Sequence, residues 1–317
     1  MPLISFVIPV YNVAPYLREC LESVIKQDFK DFEDFEVCVV DDGSTDGSRA
    51  ICDEYAATYP GLFKLRHQSN QGVSVARNNA LDMATGQYIW FVDADDYILS
   101  DSLCYIPEIL RQSGCDTLFF GDEPFTAETA AEYEIINDRN DFLYRYTCFC
   151  NPLMIFSREI ITRNSIKFPV GIRMGEDLEF QYNYLIHSRK LATTPLSFYH
   201  IREREGSASR NTLSATANYF GAKHLLDSMV GALTPAIVRD NLWLEQRLAE
   251  RLKALLQSAL KAKVTTSHEL TMTFRRYIKE LRQLGFGNIG SGSLKIARIN
   301  IKLYYIIYRI IYNIRSK

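Results

Sequence analysis

Over the first 120 residues, apolar runs of strand length alternate with stretches of helical spacing, and this alternation restricts the chain to few architectures. Strands are expected at residues 4–10, 35–40, 62–66, 88–92 and 117–120, with helices between them at 16–25, 48–57, 74–83 and 102–110. Runs this apolar leave no polar face for water. Both sides of the sheet therefore need cover, and helices in parallel crossovers supply it. The expectation is an α/β fold, a Rossmann-like, mainly parallel twisted sheet with helices on both faces. Such sheets bind ligands beyond the carboxyl ends of their strands. Here those ends read Val10-Tyr11-Asn12, Asp41-Asp42-Gly43-Ser44 and Asp93-Ala94-Asp95-Asp96.

From Asp122 to Asn218 the pattern loosens, with strands expected at 153–157 and 196–201 and a helix opening at Gly175-Glu176-Asp177 and running to about Ser188. Residues 241–262 are strongly helical, with Leu244, Leu248, Leu252, Leu255 and Leu256 on one side. A Gly/Ser-rich break at 285–293 then precedes a last segment, 294–317.

The net charge of −2 conceals two opposite parts. Residues 1–238 carry 20 Lys and Arg against 33 Asp and Glu, a net −13, whereas residues 239–317 carry 16 against 5, a net +11. An acidic body argues against nucleic acid as its substrate, and the basic tail suits an anionic surface. With 47% hydrophobic residues the chain is too apolar to stay disordered. No run approaches the roughly 20 uncharged apolar residues of a spanning helix. Residues 1–9 lack the basic opening of a leader and read as a strand. Seven scattered cysteines, with Cys148-x-Cys150 lacking a second pair at zinc-site spacing, fit buried thiols in a reducing cytoplasm.

Five carboxylates fall at two strand ends. Loop acids are commonly only solvated, but Asp93-Ala94-Asp95 directly follows the apolar run Tyr88-Ile89-Trp90-Phe91-Val92, where like charges repel unless a cation joins them. Hard oxygen ligands of this kind, completed by a substrate diphosphate, suit Mg²⁺ or Mn²⁺.

Four ordered motifs, Val7-Ile8-Pro9-Val10-Tyr11-Asn12, Val39-Val40-Asp41-Asp42-Gly43-Ser44-Thr45-Asp46, Asn70-Gln71-Gly72-Val73-Ser74-Val75-Ala76-Arg77-Asn78 and Phe91-Val92-Asp93-Ala94-Asp95-Asp96, resemble those of the family 2 glycosyltransferases. The likeness is close over residues 3–115 and looser through Gly175-Glu176-Asp177 and Arg204-Glu205-Gly206-Ser207. It implies a GT-A fold over residues 1–220, with a nucleotide-sugar half (1–115) and an acceptor half (116–220), followed by a helical, basic region at 221–317. It also implies inverting transfer from a nucleotide-sugar, with Pro9, Tyr11, Asn12, Asp41, Asp42, Arg77 and Asp93 around the nucleotide. Asp42 would accept from the uracil imide N–H, which favours UDP. Asp95, with Asp93, would hold the cation. Asp177, beside Glu176, would be the base, although a helix N-terminus favours the ionised carboxylate and so weakens it as a base. Arg202 or Arg204 would clamp the diphosphate, and His200 is a further candidate for the metal shell. For Arg77 an ion pair on a helix surface remains an alternative, and for Glu176 and Asp177 simple helix capping.

Lys295, Arg298, Lys302, Arg309, Asn313 and Ser316 fall on one helical stripe among Ile, Leu and Tyr. Six basic residues and no acid in 294–317 suit a helix lying on an anionic membrane, while packing on the body or on a second subunit, as in a homo-oligomer, stands level with it. With the resemblance, this points to a cytoplasmic enzyme peripheral to the inner face of a bacterial plasma membrane, extending a glycan or lipid-linked glycan. A nucleotidyltransferase-like enzyme and a non-catalytic sugar-nucleotide-binding module are the competing readings. Against the first, Tyr11-Asn12-Val13-Ala14-Pro15 is not a Gly-rich phosphate loop.

Overall fold

The computed structural model describes residues 1–27, 34–123, 132–145, 151–172, 175–203, 215–262 and 268–286. The chain forms two compact units. The first comprises residues 1–139, 148–172 and 176–205. Its elements in chain order are β1 (Ile4–Val10), α1 (Ala14–Ile25), β2 (Phe35–Asp41), α2 (Ser48–Thr58), β3 (Phe63–His67), α3 (Val73–Met83), β4 (Tyr88–Phe91), β5 (Tyr97–Ile98), α4 (Ser102–Ser113), β6 (Thr117–Glu123) and β7 (Glu134–Ile135). After α5 (Arg139–Arg145), which begins at the edge of this unit, follow β8 (Met154–Ser157), α6 (Arg158–Arg163), α7 (Glu176–Leu185), β9 (Leu191–Leu196) and β10 (Tyr199–His200).

Eight strands form one sheet in the order β3-β2-β1-β4-β8-β6-β9-β7. The pairs among β3, β2, β1 and β4 are parallel, as is β6 with β9, whereas β8 runs antiparallel to both β4 and β6. The order 3-2-1-4 puts the topological switch between β1 and β4, where crossovers leave in opposite directions and a crevice opens. Pro9 marks it. Pairing of β1 with β4 stops at Val7, two residues earlier, so the N–H that proline lacks is not needed on that side. Trp90, fully buried on β4, packs on Phe6 (5.4 Å between ring centroids) and Phe120 (5.2 Å), tying the two halves of the sheet together.

The expected α/β sheet with helical cover is present, and most elements fall within two residues of expectation. The ends of β6, α4 and α7 lie three residues off, and the strand expected at 196–201 departs most. Leu191-Ala-Thr-Thr-Pro-Leu196 is weakly apolar, yet it pairs with β6, and after Ser197-Phe198 the chain re-forms as β10 against β5. Tertiary pairing overrides a poor local pattern there.

The second unit comprises residues 140–147, 173–175 and 206–317. Its described helices are α8 (Ala215–Gly231), α9 (Pro235–Asp240), α10 (Leu244–Lys261) and α11 (His268–Gln283). The predicted leucine stripe of α10 is buried throughout. Arg247 donates to the carbonyls of Leu143 (3.2 Å) and Tyr144 (3.0 Å), closing the C-terminal end of α5. Residues 287–317, including the basic stretch 294–317, and Arg204 lie outside the described residues. Among the described residues no helix is long and apolar enough to cross a membrane.

At the amino end of the sheet a buried carboxylate locks β1, β2 and the turn before β4. Glu36 accepts from Ser5 Oγ (2.6 Å) and from the backbone N–H (2.5 Å) and hydroxyl of Thr85, and pairs with Lys64 (2.6 Å). Burial alone would raise its pKa, but these donors together hold it below the ordinary value of 4.5. Its contribution is therefore present above that value and fades as pH falls through the depressed one. Glu36→Ala is expected to cost about 2 kcal/mol in urea unfolding at pH 7, since it orphans buried donors. The deficit should shrink as pH falls below 4.5; one constant down to pH 3 would show that packing, not charge, holds this corner.

Candidate active site

The loops after β1 and β2 are sewn together. Asn12, in the left-handed region (φ 50°), accepts from the Thr45 N–H (2.8 Å), and its own N–H donates to Ser44 Oγ (3.1 Å). No residue of its own caps α1. Instead Val13 N–H donates to Ser48 Oγ (3.0 Å) and Ala14 N–H to Asp46 Oδ2 (2.9 Å), so the loop after β2 satisfies the first turn of α1. Tyr11 stays on the rim, half exposed.

Asp41 and Asp42 are both buried. Asp41 accepts from Ser44 N–H (3.0 Å) and faces His67, which bridges it (3.0 Å) to Asp53 (2.9 Å). Asp42 accepts from Gln68 Nε2 (2.7 Å), Gln71 N–H (2.8 Å) and Gly72 N–H (2.9 Å), drawing the loop after β3 onto the end of β2. Gly43 makes that approach possible, since a Cβ there would lie 2.8 Å from the Asn70 nitrogen at a φ of 74°.

Arg77 on α3 is buried, not on a helix surface. It donates to Asp177 Oδ1 (2.6 Å) and to Asp93 Oδ1 (2.9 Å), and Glu176 lies 3.7 Å away. Phe168 lies under the guanidinium (5.2 Å), stacked in turn on Phe180 at 4.3 Å. Asn78, next along α3, fixes Phe168 by donating to its carbonyl and accepting from its N–H, both at 2.8 Å. One cation thus joins the end of β4 to the start of α7. Burial pushes the Asp177 pKa up to about 6; the Arg77 charge opposes this, and the charges of Glu176 and Asp93 add to it. The acid is therefore a better base than its place at a helix N-terminus implies, and with 35% of its side chain exposed it remains accessible.

Residues 93–96 are held from behind. Asp93 N–H donates to Tyr199 Oη (3.0 Å), whose hydroxyl donates to Asp96 Oδ2 (2.8 Å), and Arg202 N–H donates to Asp96 Oδ1 (2.7 Å). Burial, then the charges of Asp93 and Asp95, raise Asp96 to about 6 against these donors. The Arg202 guanidinium reaches the Asp95 carbonyl (3.0 Å) and Glu19 (2.5 Å), and lies over Tyr16 and Tyr97. His200 stacks on Tyr97, ring centroids 4.5 Å apart. Asp93, Glu176, Asp177 and Arg77 are thus brought together, whereas Asp41 and Asp42 organise the neighbouring strand end and Arg202 braces the 93–96 loop.

Residues 5–151 match the family described as Glycosyl transferase family 2. That stretch, just under half of the chain, belongs to that family. Among curated family relatives, a poly(ribitol-phosphate) beta-glucosyltransferase of Bacillus spizizenii is 29% identical over 72% of this chain, a stretch spanning 37% of the length of that protein. The crystal structure of Staphylococcus aureus TarS 1-349 in complex with UDP-GlcNAc superposes with a TM-score of 0.69 at 24% identity, covering 96% of this chain and 89% of that one. A Pyrobaculum calidifontis mannosyltransferase, PcManGT, in complex with GDP-Man and Mn²⁺, gives a TM-score of 0.57 at 20% identity over 94% of this chain and 87% of that one. The fold is therefore GT-A-like, as in these structures.

Among the described residues no group of three or more His, Cys, Asp or Glu is arranged to hold a metal ion. The donor set nonetheless fits a hard cation that keeps most of its ligands from water and substrate phosphate, because Asp93 and Asp95 are partly exposed carboxylates two residues apart at one strand end. Sequence reading missed His67, Asn151 and Tyr199, which act through hydrogen bonds to distant acids and belong to none of the family motifs. Arg77→Met is expected to cost about 3 kcal/mol in chemical denaturation, because it leaves three acids facing one another. Arg77→Lys should recover under half of that, since one ammonium cannot span both carboxylates; full recovery by lysine would mean that charge alone suffices.

Proposed function

We propose that this family 2 chain transfers a sugar from a UDP-sugar to a hydroxyl acceptor with inversion at the anomeric carbon. The observation that carries this reading is the Arg77 bridge, which holds a strand-end acid, Asp93, and a basic carboxylate, Asp177, around one crevice at the switch point. A site of that form has an acid for the donor side and a base for the acceptor side. Pro9, Tyr11, Asn12, Asp41 and Asp42 would frame the base and ribose; Asp42, buried with Gln68, Gln71 and Gly72 on its oxygens, would exchange one of those donors to accept from the uracil imide.

Asp177 takes the proton of the acceptor hydroxyl as its oxygen bonds to the anomeric carbon, and the bond from that carbon to the diphosphate breaks, its electron pair leaving with UDP. Asp95 and Asp93 would hold a divalent cation, which would supply positive charge against that building on the departing diphosphate. Glu176 keeps the local field negative, and Arg202, on leaving Glu19, would meet the phosphates together with Arg204. One displacement with one base inverts the anomeric centre. The acceptor would be a glycan or a lipid-linked glycan; relatives named as poly(ribitol-phosphate) transferases support a polymeric one. The basic stretch 294–317 suits an anionic inner membrane face for such work.

Screening UDP-sugars for Mn²⁺-dependent release of UDP should select one donor, and a preference for GDP- or dTDP-sugars would overturn the uracil assignment. Asp177→Asn should lose more than about a hundredfold in kcat with UDP affinity unchanged. Because the base must be ionised and its pKa is about 6, turnover should fall about tenfold per pH unit below pH 6. An acid limb near pH 4 would point to a different, unshifted carboxylate.

A further inference from the structure

Both hydrogen bonds to the Asp177 carboxylate fall on one oxygen. Arg77 Nη1 (2.6 Å) and Asn151 Nδ2 (2.9 Å) both donate to Oδ1. We propose that Asn151 is a positioning residue that, by holding Oδ1, presents Oδ2 as the oxygen that takes the acceptor's proton; this rests on the reading of Asp177 as the base.

The Asn151 side chain is built into the fold. It is fully buried in a short 3-10 turn, Asn151–Leu153, just before β8. Trp90 Nε1 donates to the carbonyl of Pro152 at 2.8 Å, so the turn is fixed to β4, the strand that ends in Asp93. Gln181 sets the orientation of the amide. It lies one helical turn beyond Asp177 on α7 and therefore on the same face, is fully buried, and donates from Nε2 to Asn151 Oδ1 at 2.7 Å. With its carbonyl oxygen occupied by that donor, the Asn151 amide must turn its NH₂ toward Asp177.

A carboxylate gripped twice on one oxygen cannot rotate without losing both bonds. Arg77 alone would leave it free to swing about the Arg77 contact. The second donor, set on a different element, fixes the plane and leaves the other oxygen clear of both donors on a side chain that is 35% exposed. Fixing a base within tenths of an ångström is worth far more in turnover than in binding, because only the reacting geometry feels it. Donation to the ionised form also favours that form, against the burial and the Glu176 and Asp93 charges that oppose it and alongside Arg77.

The test uses the full chain with Asn151→Leu and with Asn151→Leu/Gln181→Leu. The double variant replaces both amides, so no buried donor is left orphaned and the fold is preserved. With the UDP-sugar that the donor screen selects, kcat should fall at least about tenfold, while KM for the donor and the Kd of UDP with Mn²⁺ stay within about twofold. Independently of any donor, the carboxyl ¹³C resonance of Asp177, assigned by its loss in Asp177→Asn, should titrate at a higher pH in both variants. Wild-type kcat in the double variant, or an unmoved titration midpoint, would overturn the proposal. If Asp177→Asn itself turns over at the wild-type rate, the base assignment fails; if it is inactive while the double variant is as fast as wild type, only the role of Asn151 fails.

Discussion

The buried guanidinium of Arg77 is the interaction on which the rest of the catalytic unit depends. Desolvating a cation is costly, and it is stable inside only because Asp93, Asp177 and Glu176 surround it and the Phe168 ring lies beneath it. Those partners come from three distant parts of the chain. Satisfying one arginine therefore forces α3, the end of β4 and the start of α7 to meet, and the paired bonds from the Asn78 side-chain amide to the Phe168 backbone keep the ring in place beneath the cation.

The surrounding field is strongly negative. Asp93, Asp95 and Asp96 crowd one strand end, and burial together with their charges pushes the Cys20 thiol, and in the case of Asp93 and Asp96 the Tyr199 hydroxyl, well up. Such an arrangement is poised for a cation. The chain meets part of that need itself, through the Tyr199 hydroxyl, the Arg202 backbone and the Arg202 guanidinium behind the loop. The open side, with Asp93 and Asp95 partly exposed, is what a metal and a diphosphate would complete.

Strands β1, β2 and β4 were legible in the sequence because they are buried on both faces and read as continuous apolar runs, and the acids after β2 and β4 stood out against that background. The Glu176-Asp177 pair was legible as a helix start. Its chemistry was not, because the upward shift of Asp177 comes from burial beneath elements far away in sequence. Asn151 and its partner Gln181 belong to no sequence motif; only the fold sets one against the other. Similarly, α1 carries no cap of its own, and Asp46 and Ser48, which supply it, sit 32 or more residues away. Pairings of this kind have no local signature, so they emerge only when the sheet is assembled.

The central claim, that one crevice holds a donor acid and a single base across from each other, fixes the stereochemistry of the product. Proton NMR of the first sugar product, recorded during turnover of an α-linked UDP-sugar, tests it most directly. Single displacement with Asp177 as the only base predicts a β-linked product from the first time point. An α-linked product would contradict the account, because retention would require a second displacement that no part of this mechanism provides.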